Sequence, residues 1–456
     1  MEALKLWARN GEAVRQALEL GEIVHLETAS EEITDEFLLF AIESGLLRQW
    51  AGGFPDPRST GEVSLEVILA ASVAARFAGI YSQRKTGYVL QSARVLGALG
   101  YSVEVLEEGD GITARGSGED QLFSGDVLRK LLVKLEAQAK VGLPPEPVLV
   151  EAAAEVSPTR VRERASRRAV KAEVKEAEAE ASGRAAAQAL ITWYNLTVAQ
   201  SLLDYARLGG GRRIHILDAT KVEVALETAT YECAGVAKHE DGTLSRGYKL
   251  GTLRTLLDTA GVISQLAVGP MQMHDLELCR ELLRTSWVLR AGDLLLEDRG
   301  FLDGGMITLL KRDRGVDVII PLKANMHSYT EAVALANQAG QWGPHPTRPR
   351  QEIAFVAGVE HVWDECEVGL NACVIRFFNE KKRAIDHIVL VTTDLGLSAK
   401  WIVRHYEQRP EVEQDYEQLK SGGWFLKKLS STRYSQIVFY LLTVVLSYSL
   451  YHLFAK

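Results

Sequence analysis

Hydrophobic positions along this chain change their spacing near residue 212, and the change divides the sequence into two regions. Before it, apolar residues recur at the spacing of one helix face, and SLEVILAASVAARFAGI at 64–80 is apolar enough to predict a buried helix. An Ala-, Glu-, Lys- and Arg-rich segment from Val148 to Ala206 predicts further helix. Within this region, YSVEVLEEGDGITARG at 101–116 predicts a short hairpin. We therefore predict a helical N-terminal region at 1–147 and a helical linker at 148–211 that packs on the second region.

After Arg212, short apolar runs alternate with amphipathic helices. RRIHILDAT predicts a first strand, and GYKLGTLRTLLD with GVISQLAVGP predicts a hairpin that supplies the second and third strands. Helix, strand, helix and strand are then predicted by HDLELCRELLRT, LLLED, LDGGMITLLKRD and VDVIIPLK. Between Lys323 and Leu395, three more strands are predicted by QEIAFVAG, NACVIRFFN and DHIVLVTTD. The pattern indicates an α/β fold in which a β-rich segment comes after the fifth strand.

Composition limits the class of protein. A chain of 456 residues that is 47% hydrophobic and 25% charged is long enough to form two to four globular domains. Its four cysteines are far apart in sequence, so they indicate neither a zinc site nor a disulfide framework, and they fit a reducing cytoplasm. The N-terminal stretch MEALKLWARNGEAVRQ does not have the apolar run of a secretory signal. The net charge of -8 excludes a uniformly basic DNA-binding surface, so any such surface must be local.

The richest candidate site is WIVRHYEQRPEVEQDYEQLK at 401–420. Tyr406, Arg409, Glu413 and Lys420 are separated by intervals that return to one face of a helix. A carboxylate between cations suits a site that holds divalent metal and phosphodiester together. Charges at helical spacing are also typical of a solvated face, and the stretch alone leaves both interpretations open. Pro410 predicts that a new helix begins there and that Tyr406 ends the preceding one.

The spacing Tyr, two residues, Arg, three residues, Glu, six residues, Lys resembles the YREK signature of a large family of insertion-sequence transposases. These are DDE transposases with a ribonuclease-H-like catalytic domain, so the resemblance implies two further aspartates at the ends of strands. Asp218 comes after the apolar run of RRIHILDAT, and Asp298 comes after that of LLLED. The DRGF sequence that begins at Asp298 resembles the second-aspartate motif of the family.

The resemblance implies a fold as well. We expect a ribonuclease-H-like mixed sheet with helices on both faces, formed by 212–324 and 396–456. A β-rich insertion at 325–395 would precede the last catalytic helix, and the helical N-terminal region would recognise the terminal repeats of the element. The strand and helix order predicted after Arg212 is the order of such a sheet.

The chemistry implied is cleavage of DNA at the ends of the element and joining of the 3'-hydroxyl ends to target DNA. Asp218, Asp298 and Glu413 would be the catalytic residues and would hold two Mg²⁺ ions, with Mn²⁺ as a substitute, because carboxylates are ligands for hard divalent cations. The expected partners are double-stranded DNA, as terminal inverted repeats and target, and a second copy of the chain in a homodimer on paired ends. The expected location is the cytoplasm, associated with the nucleoid. The residues expected to position the DNA backbone are Tyr406, Arg409 and Lys420.

A basic stretch lies directly after the signature. No acidic residue lies between Lys420 and Arg433, and the stretch also contains Lys427 and Lys428. In an acidic chain, a run of one sign beside a candidate nuclease site favours contact with DNA phosphates. We therefore predict that these four side chains bind DNA.

The C-terminal run SQIVFYLLTVVLSYSLYHLF at 435–454 is long enough to cross a bilayer. Hydroxyl side chains and His452 interrupt it, so we predict a buried helix of the catalytic domain that does not enter a membrane. The sequence leaves two alternatives for the whole protein. One is a catalytically silent DNA-binding regulator, which the retention of all three acids disfavours, and the other is a tail-anchored membrane protein.

Overall fold

The fold is described from a computed structural model, which divides the chain into two compact units. The first comprises Met1–Ser201, Leu226–Ala234 and Trp424–Phe454, and the second comprises Leu202–Ala225, Gly235–Gly423 and Ala455–Lys456. The residues described are 16, 19–21, 31–61, 63–90, 92–101, 123–141, 160–206, 211–228, 230–239, 241–257, 261–359, 363 and 365–455. Apart from Tyr101, the hairpin predicted at 101–116 lies outside the described residues.

The elements described in the first unit are helices. The predicted buried helix at 64–80 is confirmed as Leu65–Phe77, and Ser64 caps it by accepting a hydrogen bond from the backbone N–H of Val67. Within the segment predicted as a helical linker, helix is present from Arg160 onward. The α-helices are Glu31–Glu43, Leu46–Gly53, Leu65–Phe77, Ala93–Ala98, Asp126–Val141, Arg160–Trp193 and Tyr434–Phe454, with a 3₁₀-helix at Gln83–Tyr88 and a π-helical turn at Tyr194–Val198.

The C-terminal helix, Tyr434–Phe454, is buried among the N-terminal helices of its unit. It packs against Leu65–Phe77 and Arg160–Trp193. Ser447 donates a hydrogen bond to the carbonyl oxygen of Thr443 in its own helix at 2.7 Å, so this hydroxyl has a partner within the protein. Among the described residues, this is the one helix long and apolar enough to span a membrane, and 83% of its most apolar window is buried in the protein. The burial agrees with the predicted buried helix, whereas its grouping with N-terminal helices was not foreseen.

The second unit is organised by one mixed sheet, in which the described residues form ten strands. The strands are β1 Ile214–Val224, β2 Gly235–Lys238, β3 Leu244–Leu256, β4 Gly261–Pro270, β5 Leu294–Glu297, β6 Asp317–Pro321, β7 Gly343–Pro344, β8 Gln351–Val356, β9 Asn371–Asn379 and β10 Ala384–Thr392. Their order is β2-β3-β1-β5-β6-β10-β9-β8-β7, and β4 also pairs with β3. Antiparallel β4, β3 and β1 together with parallel β5 and β6 are consistent with the expected ribonuclease-H-like sheet.

Helices of this unit cover both faces of the sheet. Asp218 and Ala219 are consecutive in β1, so their side chains point to opposite faces. Tyr416 contacts the face of Asp218, and Cys279 lies against Gly251, the partner of Ala219 in β3. The helices are Asp275–Thr285, Gly304–Thr308 with a π-helical extension at Leu309–Asp313, His327–Ala339, Ala399–Tyr406 and Glu411–Ser421.

The strands predicted between 325 and 395 extend the same sheet. β10 pairs antiparallel with β6, and β9 and β8 lie next to it toward the edge. The sequence did not predict the short strands β2 and β7 or the helix His327–Ala339. The limits of the predicted insertion, like the other domain limits, stay a prediction.

We expect Leu442→Ala to lower the free energy of unfolding by about 2 to 5 kcal/mol, because it leaves a cavity in a packed helix interface. Leu442 is fully buried in the C-terminal helix. The measurement is urea unfolding in buffer without detergent. Leu196→Ala, which truncates a leucine that is 54% exposed in the same unit, is the matched control and should change stability little. An unchanged unfolding midpoint for Leu442→Ala would contradict this packing role.

Candidate active site

Two of the predicted acids are brought together by the pairing of β1 with β5. These strands are parallel, and Leu217 of β1 lies opposite Glu297 of β5. Asp218 directly follows Leu217, and Asp298 directly follows Glu297. The backbones of the two aspartates are therefore neighbours at the edge of the sheet where β5 ends. The prediction that Asp218 ends its strand was wrong, because β1 continues to Val224 through its pairing with β3.

The third acid is on the helix Glu411–Ser421, which we call the site helix. Pro410 is its N-cap and the preceding helix ends at Tyr406, so the predicted break is confirmed, with the helix starting one residue later than expected. Arg409 lies in the turn between the two helices. The four signature residues therefore do not share one continuous helical face.

Tyr416 fixes the site helix on the sheet. Its hydroxyl donates to the carbonyl oxygen of Asp218 at 2.9 Å. It lies 2.5 Å from the hydroxyl of Thr252, which is the cross-strand partner of Asp218 in β3. Because the Tyr416 hydroxyl has one proton, Thr252 is the donor in that second bond. Tyr416 was not predicted as a site residue, although its position one turn after Glu413 places both on the same side of the helix.

Arg254 of β3 binds two acids of the site helix that do not belong to the predicted catalytic set. Its guanidinium contacts Glu411 at 2.9 Å and Asp415 at 2.6 Å, and its side chain is nearly buried. These two carboxylates are thereby paired with a cation that is fixed in the sheet. Glu413, which lies between them in sequence, is directed to a different cation.

That cation is Arg409, whose guanidinium contacts all three predicted catalytic acids. Its Nη2 atom lies 3.1 Å from Oδ2 of Asp218 and 3.5 Å from Oδ2 of Asp298. Its Nη1 atom donates to Oε1 of Glu413. Acids separated by up to 195 positions in the sequence are therefore gathered around one side chain.

Burial and charge determine the electrostatics of this cluster. Burial raises the pKa of Asp218 to about 6, although Arg409 and a 2.8 Å hydrogen bond from the N–H of Ala219 act in the opposite direction. Burial alone would lower the pKa of Arg409, but the surrounding carboxylates raise it. Burial chiefly, and the same carboxylates, raise the pKa of Tyr406, so it stays a neutral phenol. The cluster thus keeps one firmly charged cation among three acids.

The donor set of the cluster suits a hard divalent cation. Asp218, Asp298 and Glu413 offer carboxylate oxygens and no sulfur or imidazole ligand, which is the preference of Mg²⁺ and Mn²⁺. Within the described ranges, no group of three or more acidic, histidine or cysteine side chains already has metal-holding spacing. Here the oxygens face the guanidinium of Arg409. The three carboxylates fit such an ion when the Arg409 guanidinium moves away from their oxygen atoms.

The basic residues predicted to bind DNA at 420–433 are divided between the two units. Lys420 is near the end of the site helix, with its ammonium 5.9 Å from the centre of the Tyr416 ring. Lys427 and Lys428 are exposed side chains of the first unit. Arg433, also in the first unit, forms an ion pair with Glu136 at 2.5 Å. The basic stretch is therefore free of acids along the sequence but not in space.

Comparison with known proteins agrees with this geometry. The family model described as the transposase DDE domain matches residues 209–450, which is more than half of the chain. The match contains the three acids, Arg409 and the strands that position them. No curated protein matches the chain. The chain belongs to the transposase DDE domain family.

Proposed function

We propose that this protein is a DNA transposase of the YREK type, which cleaves the ends of an insertion sequence and joins the 3'-hydroxyl ends to target DNA. Its family implies a nuclease or transferase enzyme. The observation that carries the proposal is the convergence of Asp218, Asp298 and Glu413 on one guanidinium. The sheet and the site helix bring together three carboxylates that are far apart in the sequence.

Those three carboxylates would hold two Mg²⁺ ions, with Mn²⁺ as a substitute. Bound divalent ions would activate water or a 3'-hydroxyl as nucleophile and stabilise the leaving oxygen. The chain supplies the geometry: Tyr416 and Thr252 fix the backbone at Asp218, while Arg254 holds the neighbouring acids away from the cluster.

The substrate proposed is double-stranded DNA, as the terminal repeats of the element and the target, held by a homodimer on paired ends in the cytoplasm. Tyr406, Arg409 and Lys420 would position the backbone near the acids, since guanidinium and ammonium groups bind phosphate without reading sequence. The retained acids support an enzyme over a silent DNA-binding regulator.

Asp218→Asn, Asp298→Asn and Glu413→Gln should each lower magnesium-dependent cleavage of element-end DNA by more than roughly a hundredfold, because each removes a metal ligand with little change in volume. Cleavage is measured on labelled duplex, together with DNA affinity and thermal unfolding, which should change little. Glu417→Gln is the matched control for Glu413→Gln, since Glu417 is exposed on the same helix one turn later. Wild-type cutting by any of the three variants would remove that residue from the proposed site.

Lys427→Ala and Lys428→Ala should each reduce the salt slope of log DNA affinity by roughly one, while sequence preference stays the same. Both side chains are exposed, so they can reach phosphates without losing a protein partner. Arg433→Ala should also lower stability, because Glu136 is nearly buried and would lose its cation. Lys130→Ala, at another exposed lysine of the first unit, serves as control. Equal slopes for Lys427→Ala, Lys428→Ala and wild type would mean that these lysines are only solvated surface.

A further inference from the structure

Arg409 uses only part of its donor capacity in the cluster. Its side chain is 12% exposed and its Nη atoms serve the three carboxylates. Its buried Nε atom has no hydrogen-bond partner among the described residues. A buried donor without a partner carries a free-energy cost, so this placement is not the best environment that a guanidinium can find. An arrangement that satisfies more of its donors would recover this cost.

The charges of the cluster are unbalanced. One guanidinium faces three carboxylates, which leaves an excess of negative charge when all three are ionised. Without a cation at this position, the carboxylates would repel one another in a partly buried site. Arg409 therefore stabilises the assembled acids, but it occupies the same oxygen atoms that a divalent ion needs.

The position of Arg409 in the chain permits it to leave. It lies in the turn between Ala399–Tyr406 and Glu411–Ser421, and not within either helix. The backbone N–H of Arg409 bonds to the carbonyl of Tyr406 at 3.0 Å, and the site helix is fixed separately by Tyr416 and Arg254. Rotation of its long side chain thus requires no change in the elements that carry the acids.

We propose that Arg409 is an exchangeable counter-ion that couples metal loading to DNA binding. This rests on the proposed function, because it assumes that the three acids accept divalent ions and that DNA reaches the site. In the absence of DNA, Arg409 holds Asp218, Asp298 and Glu413 together. When DNA is present, Arg409 leaves the carboxylates and donates to a backbone phosphate, which offers a guanidinium two acceptor oxygens in a fork geometry. The freed carboxylate oxygens then accept divalent cations.

A coupling of this kind works in both directions. If DNA removes Arg409 from the carboxylates, DNA raises the affinity for divalent ions, and divalent ions raise the affinity for DNA by the same factor. Coupled sites commonly change each other's affinity by about 5- to 150-fold. The consequence is a site that stays assembled without metal and takes up metal mainly on its substrate.

The test measures Mn²⁺ binding to the full-length protein from the electron paramagnetic resonance signal of free Mn²⁺, with and without a saturating mixed-sequence duplex. For wild type, we expect DNA to raise Mn²⁺ affinity at least about tenfold. Arg409→Gln should bind Mn²⁺ without DNA at least about tenfold more tightly than wild type, and DNA should change its affinity less than about twofold. Its thermal unfolding in chelator should occur at lower temperature and recover with Mn²⁺, because the carboxylates have lost their cation.

Two further variants separate the exchange from loss of charge or of folding. Arg404→Gln removes the same charge five residues before Arg409, at an exposed side chain that forms no ion pair within the described part of the chain, and should behave as wild type. Arg409→Lys keeps an exchangeable cation and should keep the rise in Mn²⁺ affinity with DNA. If this variant loses the rise, or if Arg409→Gln matches wild type without DNA, the exchange is overturned.

The outcome for wild type distinguishes the two proposals. If wild type with DNA binds Mn²⁺ and cleaves, yet has the same Mn²⁺ affinity without DNA, the proposed function stands and only the exchange fails. If wild type with element-end DNA neither binds Mn²⁺ nor cleaves, the proposed function fails and the exchange fails with it.

Discussion

The parallel pairing of β1 with β5 is the constraint on which the candidate site depends. Its register places Leu217 opposite Glu297, and this alone makes Asp218 and Asp298 neighbours. Two parallel strands need a long crossover connection, and the chain between them builds β3, β4 and the helix Asp275–Thr285. β3 then presents Thr252 and Arg254, which anchor the site helix. A shift of one residue in the β1–β5 register would turn one aspartate to the opposite face and separate the pair.

Pairing of acids with cations of the fold is the second recurring feature of this unit. Arg254 contacts Glu411 and Asp415, and Arg212 together with Lys311 contacts Asp317 at the start of β6. In the second case the distances are 3.1 and 2.6 Å. Several cations of this acidic chain are therefore already paired with carboxylates of the fold. Net charge is for that reason a poor guide to what the surface presents to DNA, and local exposure of single lysines matters more.

The sequence predicted most of the strands and singled out three acids that come together in the fold, because both leave local marks, and the catalytic role of these acids stays a prediction. Alternation and apolar runs gave nearly every strand of the sheet, and the YREK spacing with DRGF gave Glu413 and Asp298. What it missed depends on contacts between distant residues. The contact of Tyr416 with Thr252 forms only when β3 and the site helix come together, and β2 pairs with Leu244–Gly247, the end of β3 that lies beyond its pairing with β4. The sequence around Arg433 contains no acid on its N-terminal side back to Lys420, yet in the folded protein Arg433 forms an ion pair with Glu136.

Pro410 shows how a feature that disturbs a sequence pattern serves the site. A continuous helix would fix Arg409 and Glu413 one turn apart on one side, where their pairing would be an ordinary surface contact. Proline cannot donate the backbone hydrogen bond of a helix interior, and here it separates the two helices, with Arg409 in the turn before it. From that turn the guanidinium reaches Asp218 and Asp298 on two strands while still contacting Glu413. The signature spacing is thus satisfied by a broken helix, because the break lets one cation contact acids from three separate elements.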